Sequence, residues 1–264
     1  FLSVIPVADA VKTAERIAPA PQAETVAVDA SAGRVLAEDI RSDTDIPGFD
    51  RSVVDGYAVR SADTTGAGDS IPALLHCVGR VAMGGYDPSL VIGSGECAYI
   101  PTGGVLPQGA DAAVMVEYTE VAADTILIKK AASHGENIIR KDEDFRYGET
   151  VFTAGHRLTP QDAGVLSACG CVDVTVAKKP VVGIISTGNE LVPADVVPGP
   201  GQVRDANAPM LAAWLREYGC EPRRYGIAKD EREAFEAVIT CAVAECDVVL
   251  LSGGSSKDDR DMTA

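Results

Sequence analysis

Val181-Val182-Gly183-Ile184-Ile185-Ser186 is a continuous apolar run that opens directly into Thr187-Gly188-Asn189-Glu190-Leu191. A run without polar alternation predicts a strand buried on both faces, as in a parallel sheet, rather than a half-exposed one. Outward from it the pattern alternates. A helix is expected over Ala208 to Tyr218, an extended segment over Glu221 to Gly226, a helix over Glu231 to Glu245, and a second apolar strand over Asp247 to Leu251 that runs into Gly253-Gly254. Such alternation predicts a doubly wound α/β domain with its binding loops at the carboxyl ends of the strands. No helix follows the last strand before Ala264, so this sheet is expected to be incomplete.

Upstream of Pro180 the texture differs. Val4, Val7, Val11, Ala14 and Ile17 recur at three- and four-residue spacing, which predicts an amphipathic helix over residues 3–17. Ala73 to Val81, Glu96 to Ile100, Ala112 to Glu117 and Thr125 to Ile128 read as short strands between Gly and Pro turns. Residues 133–144 read as a charged loop and Gly148 to Arg157 as a hairpin. Thr159 is placed to cap a helix Pro160 to Ala168, and Asp173 to Val176 reads as another strand. The fold class is therefore α/β and β-rich multidomain. A discontinuous linker-type domain is expected over 1–42 and 145–178, forming an elongated N-terminal region. A β-rich inserted domain is expected over 43–144, and the truncated α/β domain over 179–264.

The chain carries 23 Lys plus Arg against 39 Asp plus Glu, a formal net charge of -16. That balance argues against a basic face for nucleic acid or an anionic membrane. An anionic small substrate would need backbone amides, local cations or a metal ion to offset nearby carboxylates. The apolar runs fall far short of the roughly 20 residues that span a bilayer, so a cytoplasmic protein is expected. Seven cysteines, none in C-x-x-C spacing, read as free thiols in a reducing compartment.

Five segments could carry chemistry. Pro47 to Arg60 holds Asp55-Gly56, which is either a turn pair or a carboxylate presented to a ligand. Ile100 to Val114 places Thr102 and two glycines at a strand end, where the backbone can approach a phosphate or pterin. Gly135 to Asp144 mixes cations with acids and reads equally as a solvated charge run. Ser186 to Leu191 opens from a buried strand, so its hydroxyls, amides and Glu190 would face the ligand crevice; Asp205, just before a helix, is either a cap or part of that crevice. Ser252 to Asp261 offers amides and hydroxyls for an oxyanion and Asp261 for a cation. No Walker loop and no G-x-G-x-x-G occurs, which removes the two commonest nucleotide readings.

In order, S-x-x-D-G-Y-A, P-T-G-x-x-x-P-x-G-A-D, S-T-G-N-E-L and S-G-G-x-S closely resemble the molybdopterin molybdenumtransferase family, to which the E domain of gephyrin belongs. The resemblance covers nearly the whole chain. It implies molybdenum cofactor biosynthesis, with molybdate inserted into molybdopterin-adenylate and AMP released, in a homodimer whose β-rich domain meets the partner's α/β molybdopterin-binding domain. By motif position, Asp55, Thr102, Asp144, Glu190 and Asp261 would be catalytic. Ser186, Thr187, Gly188, Asp205, Ser252, Gly253, Gly254 and Ser256 would bind the cofactor, and Asp55, Glu190 and Asp261 would hold Mg²⁺. The upstream adenylyltransferase and recipient molybdoenzymes are the expected partners.

This sequence departs from the family at Asp258, where glycine is usual. A carboxylate beside a phosphate cradle repels the ligand unless Lys257 or Arg260 compensates, which keeps a non-catalytic molybdopterin-binding or molybdate-sensing paralogue as the alternative. The chain is also expected to stop before the family's later molybdate-binding segment and C-terminal β-domain, and so to be of low activity as a fragment.

Overall fold

The computed structural model describes residues 5–17, 21–229 and 231–253. These fall into two compact units. One comprises residues 1–38, 154–163 and 173–264, and the other 39–153 and 164–172. No helix among the described residues is long and apolar enough to cross a membrane.

The first unit contains the predicted parallel sheet. Val181–Thr187 is its central strand, flanked by Glu221–Ala228 on one side and Val248–Ser252 on the other, both parallel to it. Adjacent residues of a strand point to opposite faces, and the two central isoleucines show the consequence. Ile184 packs with Ala208 and Ala212 of the helix Asn207–Glu217, while Ile185 packs with Phe235 and Ala242 of the helix Arg232–Glu245. Each face of the strand thus has its own helix, which is why the sequence shows no polar alternation there. The same unit holds an antiparallel pair, Ala23–Ala27 with Asp173–Ala177, and the helix Val7–Ile17. That helix leaves Val7 and Val11 exposed within this chain.

The second unit is built on a six-stranded sheet. Its order is Ala112–Met115, Gly56–Val59, Glu96–Ile100, Ala73–Arg80, Thr125–Ile128 and Thr119–Ala122. All neighbours are antiparallel except Ala73–Arg80 and Glu96–Ile100. Tyr57 and Val59 join one apolar cluster with Leu75, Cys97, Ile126 and Ile128, whereas Ala58 joins a second, on the other face, with Val81, Ile100 and Ala113. Burying both faces makes the short strands stable without length.

One reading changes, and one strand had not been read. Gly148 to Arg157 is not a hairpin: Thr150–Phe152 pairs with Ile40–Arg41, and Arg157 bridges to Val35. The local turn signal is present at Gly155, whose φ is +87°, but each flank finds its partner far back in the chain. The strand Thr119–Ala122 has no buried face, being almost wholly exposed at the sheet edge, and so left no pattern to read. By contrast, the helix Pro160–Ala168 begins as expected. The Thr159 N–H donates to Asp162 Oδ2 (2.8 Å) and the Asp162 N–H to Thr159 Oγ1 (3.3 Å), a reciprocal cap.

Candidate functional site

In the first unit the carboxyl ends of two neighbouring parallel strands converge with the start of a helix. Ser186 and Thr187 end the central strand and are buried; Ser252 ends its neighbour. Thr187 Oγ1 lies 3.5 Å from the Ser252 carbonyl oxygen. Gly253 follows in a left-handed conformation (φ +120°), and a Cβ there would lie 2.5 Å from both the carbonyl oxygen and Oγ1 of Thr187. Only glycine fits that approach.

Asp205 sits beneath this edge with 8% of its surface exposed. Its Oδ2 accepts a 2.8 Å hydrogen bond from Ser186 Oγ and its Oδ1 a 3.1 Å bond from the Ala208 N–H. The capping reading of Asp205 therefore holds: the carboxylate caps the start of the helix Asn207–Glu217, and it also fixes a hydroxyl at the strand end. Asn207 adds a tie that the sequence reading did not assign, donating from Nδ2 to Ser252 Oγ at 2.9 Å. Its only signal was its place two residues after Asp205.

Glu190 projects from the loop beyond the central strand and is exposed. Its backbone oxygen accepts from the Val203 N–H (2.9 Å), within a short parallel pair of Leu191–Val192 and Val203–Arg204. Gly188, with φ +143°, lies directly against the Glu190 carboxylate, for a Cβ at this position would be 2.5 Å from Glu190 Oε2. Ser186, Thr187, Gly188, Asp205, Ser252 and Gly253 are thus gathered at one edge of the sheet, with Glu190 on the adjoining loop. Gly254, Ser256, Asp258 and Asp261 lie outside the described residues.

Asp55, Thr102 and Asp144 belong to the second unit. Two of them meet: the Thr102 N–H donates to Asp55 Oδ1 at 2.8 Å, and both residues are exposed. The loops that carry them are stitched together by Ser52 N–H to Gly104 O (3.1 Å) and Gly103 N–H to Ser52 O (2.7 Å). Gly56, buried between two strands, is dictated by packing, since a Cβ there would lie 1.9 Å from the Val114 carbonyl oxygen. Gly56 therefore starts the strand Gly56–Val59, and Asp55 lies in the bend just before it. Asp144 is exposed and anchored by its own N–H to Ile46 O (2.9 Å); no hydrogen bond joins it to Asp55 or Thr102 among the described residues. Two residues away from Glu143, Lys141 forms a 2.9 Å ion pair with Asp45, whose carboxyl is held below the usual range by the Tyr147 N–H and by Lys141. Among the described residues no group of three or more His, Cys, Asp or Glu is arranged to hold a metal ion.

Comparison with known proteins extends over almost the whole chain. Residues 5–170 match the family described as MoeA N-terminal region (domain I and II), and residues 183–264 match a probable molybdopterin binding domain. The chain is 36% identical over 257 residues to a protein of Staphylococcus aureus (strain Mu50) named molybdopterin molybdenumtransferase, covering 97% of this chain and 61% of that protein. A Bacillus subtilis (strain 168) protein of the same name is 35% identical over 261 residues, covering 97% and 60%. The chain thus spans about three-fifths of the length of these relatives. It is also similar to the solved structure of the molybdopterin biosynthesis MoeA protein of Pyrococcus horikoshii OT3, with a TM-score of 0.87 and 35% identity over 95% of this chain and 67% of that one.

Proposed function

Since this chain belongs to the MoeA family, we propose that it acts in molybdenum cofactor biosynthesis as a molybdopterin molybdenumtransferase, inserting molybdate into adenylated molybdopterin with release of AMP. The observation that carries this reading is the edge formed by Thr187 and Gly253. Two parallel strands end there so close together that no side chain fits between them. Such an edge presents backbone and hydroxyl groups at the place where α/β sheets bind ligands, a lining suited to a phosphate or pterin group in an otherwise acidic chain.

In this reading Asp205 holds the Ser186 hydroxyl and the helix start in fixed geometry, and Asn207 does the same for Ser252. Pre-set groups of this kind need no rearrangement as charge develops on the substrate. Glu190 and Asp55 offer exposed carboxylates, hard oxygen donors of the type that Mg²⁺ accepts together with substrate phosphates, and Asp261 would complete the set. When bound, the cation would offset phosphate charge and polarise the phosphorus. The working unit is a cytoplasmic homodimer, with Asp55, Thr102 and Asp144 of one subunit completing the α/β site of the other. The upstream adenylyltransferase supplies its substrate and molybdoenzymes receive its product.

The test is AMP release by the full-length protein from molybdopterin-adenylate with Mg²⁺, with and without molybdate, beside Glu190→Ala and Asp55→Ala. Molybdate-dependent release that both variants abolish is expected. Tight binding of molybdopterin-adenylate without AMP would instead make the protein a non-catalytic binding paralogue of the same fold.

A further inference from the structure

In the second unit a line of side chains outside the site described above is joined by hydrogen bonds. Asp111 accepts at Oδ1 from the Ser61 N–H (2.6 Å) and at Oδ2 from the Ser61 hydroxyl (3.0 Å), and the same Oδ2 lies 3.1 Å from His134 Nδ1. His134 Nε2 lies 3.0 Å from Arg140 Nη2, and Arg140 Nη1 donates to Asp50 Oδ2 at 3.4 Å. Asp50 Oδ1 accepts the Lys141 N–H at 2.7 Å. A carboxylate has no hydrogen to give and a guanidinium no lone pair to offer. The neighbours therefore fix the tautomer: Nδ1 carries the hydrogen and Nε2 is bare. The line exists in this form only while the imidazole is neutral.

We propose that His134 is a positioning residue that works as a proton-sensitive latch: neutral, it holds Arg140 over Asp50 on the segment leading to Asp55, and protonated, it releases Arg140. A proton on Nε2 removes the acceptor and places a second cation 3.0 Å from the guanidinium, while the bond to Asp111 gains charge. Asp111 faces the ring from one side and Arg140 from the other, with Asp50 beyond it. Glu136, on the same segment as His134, is engaged by Lys130 (3.2 Å) and the Ser133 N–H (2.9 Å). Once released, the Arg140 guanidinium keeps, among the described residues, its 3.4 Å contact with Asp50. With those side chains 45% and 34% exposed, a pair of this kind holds weakly. Imidazole is the side chain whose charge ordinarily changes between about pH 5 and 8. The inference stands independently of the reaction proposed above.

NMR of the ¹³C,¹⁵N-labelled protein between about pH 5 and 8 tests it, with His134 Cε1–H and Arg140 Nε–H followed together. The Arg140 resonance is expected to move with the His134 midpoint. Arg140→Ala should shift that midpoint upward by removing a repelling cation, and Asp111→Asn should shift it downward. In His134→Gln, where the amide oxygen can accept from Arg140 but takes no proton, the Arg140 resonance should stay flat. An Arg140 signal indifferent to the His134 titration, or a His134 midpoint unmoved in Arg140→Ala, overturns the proposal. Both His134 and Arg140 are exposed, so these variants leave the core intact.

Discussion

The Ser186 hydroxyl donates a 2.8 Å hydrogen bond to the Asp205 carboxylate, and both groups are buried. One bond thus ties the end of the central parallel strand to the first turn of the next helix. Asp205→Ala removes it, strands the Ser186 hydroxyl away from water and uncaps the helix. Leaving a buried group unpaired costs about 1–3 kcal/mol and losing a cap about 1 kcal/mol, so a loss of about 2–4 kcal/mol is expected. Asp205→Asn keeps an acceptor oxygen for the cap and should cost less. Trp214, the single tryptophan, lies on this helix, so its fluorescence during urea unfolding reports the change. An alanine variant as stable as the parent protein would refute the assigned role.

Gly56 is fixed by packing, with Val114 O at 1.9 Å from where a Cβ would be. Backbone cannot yield as a flexible side chain can, and Gly56→Ala is expected to cost at least about 4 kcal/mol, among the largest single-residue effects. Gly33→Ala is the control: the space around it is open but φ is +81°, so about 1 kcal/mol is expected from conformation alone. Thermal melts of the two variants should differ accordingly; similar melting temperatures would contradict the contact.

Asp111 shows how the loops of the second unit respond to acid. Burial raises its pKa, but the Ser61 N–H, His134 and the Ser61 hydroxyl outweigh burial and hold the carboxyl below its usual range. A folded value below the unfolded one means that the stabilisation is present above the unfolded pKa and lost as pH falls through the folded one. Asp111→Asn should therefore destabilise the protein near neutrality and lose that effect at strongly acid pH. Denaturation midpoints measured across that range would show the two curves converging; parallel curves would exclude it.

Cys97 lies fully buried, directly across the parallel strand pair from Cys77. Burial first, and then the neighbouring Cys77, push its thiol up to about 12. Thiolate is the reactive form, so iodoacetamide at pH 8 should leave Cys97 unmodified in the native protein while reaching the exposed Cys241. Peptide mass spectrometry reads this directly. Early labelling of Cys97 would mean that the sheet opens far more readily than its packing implies.

Much of the fold was written in local pattern. The unalternating run at Val181 predicted a strand covered on both faces, and Ile184 and Ile185 each have a helix over them. Thr159 announced its helix because capping is a matter of three or four residues. The edge strand Thr119–Ala122 and the pairing of Thr150–Phe152 with Ile40–Arg41 were not legible: the first has no buried face, and the second depends on a partner more than a hundred residues away.

The same division runs through the site. Sequence by itself determined which segments end strands, where the glycines stand and which carboxylates and hydroxyls are on offer, because these follow from short-range periodicity and residue chemistry. Tertiary structure alone decided that Asp205 bonds Ser186 while capping a helix, that Asn207 reaches Ser252, that Asp55 takes the Thr102 amide, and that His134 stands between Asp111 and Arg140. A hydrogen bond forms over about 3 Å between groups whose separation along the chain carries no periodicity, and only the folded backbone brings them within that reach.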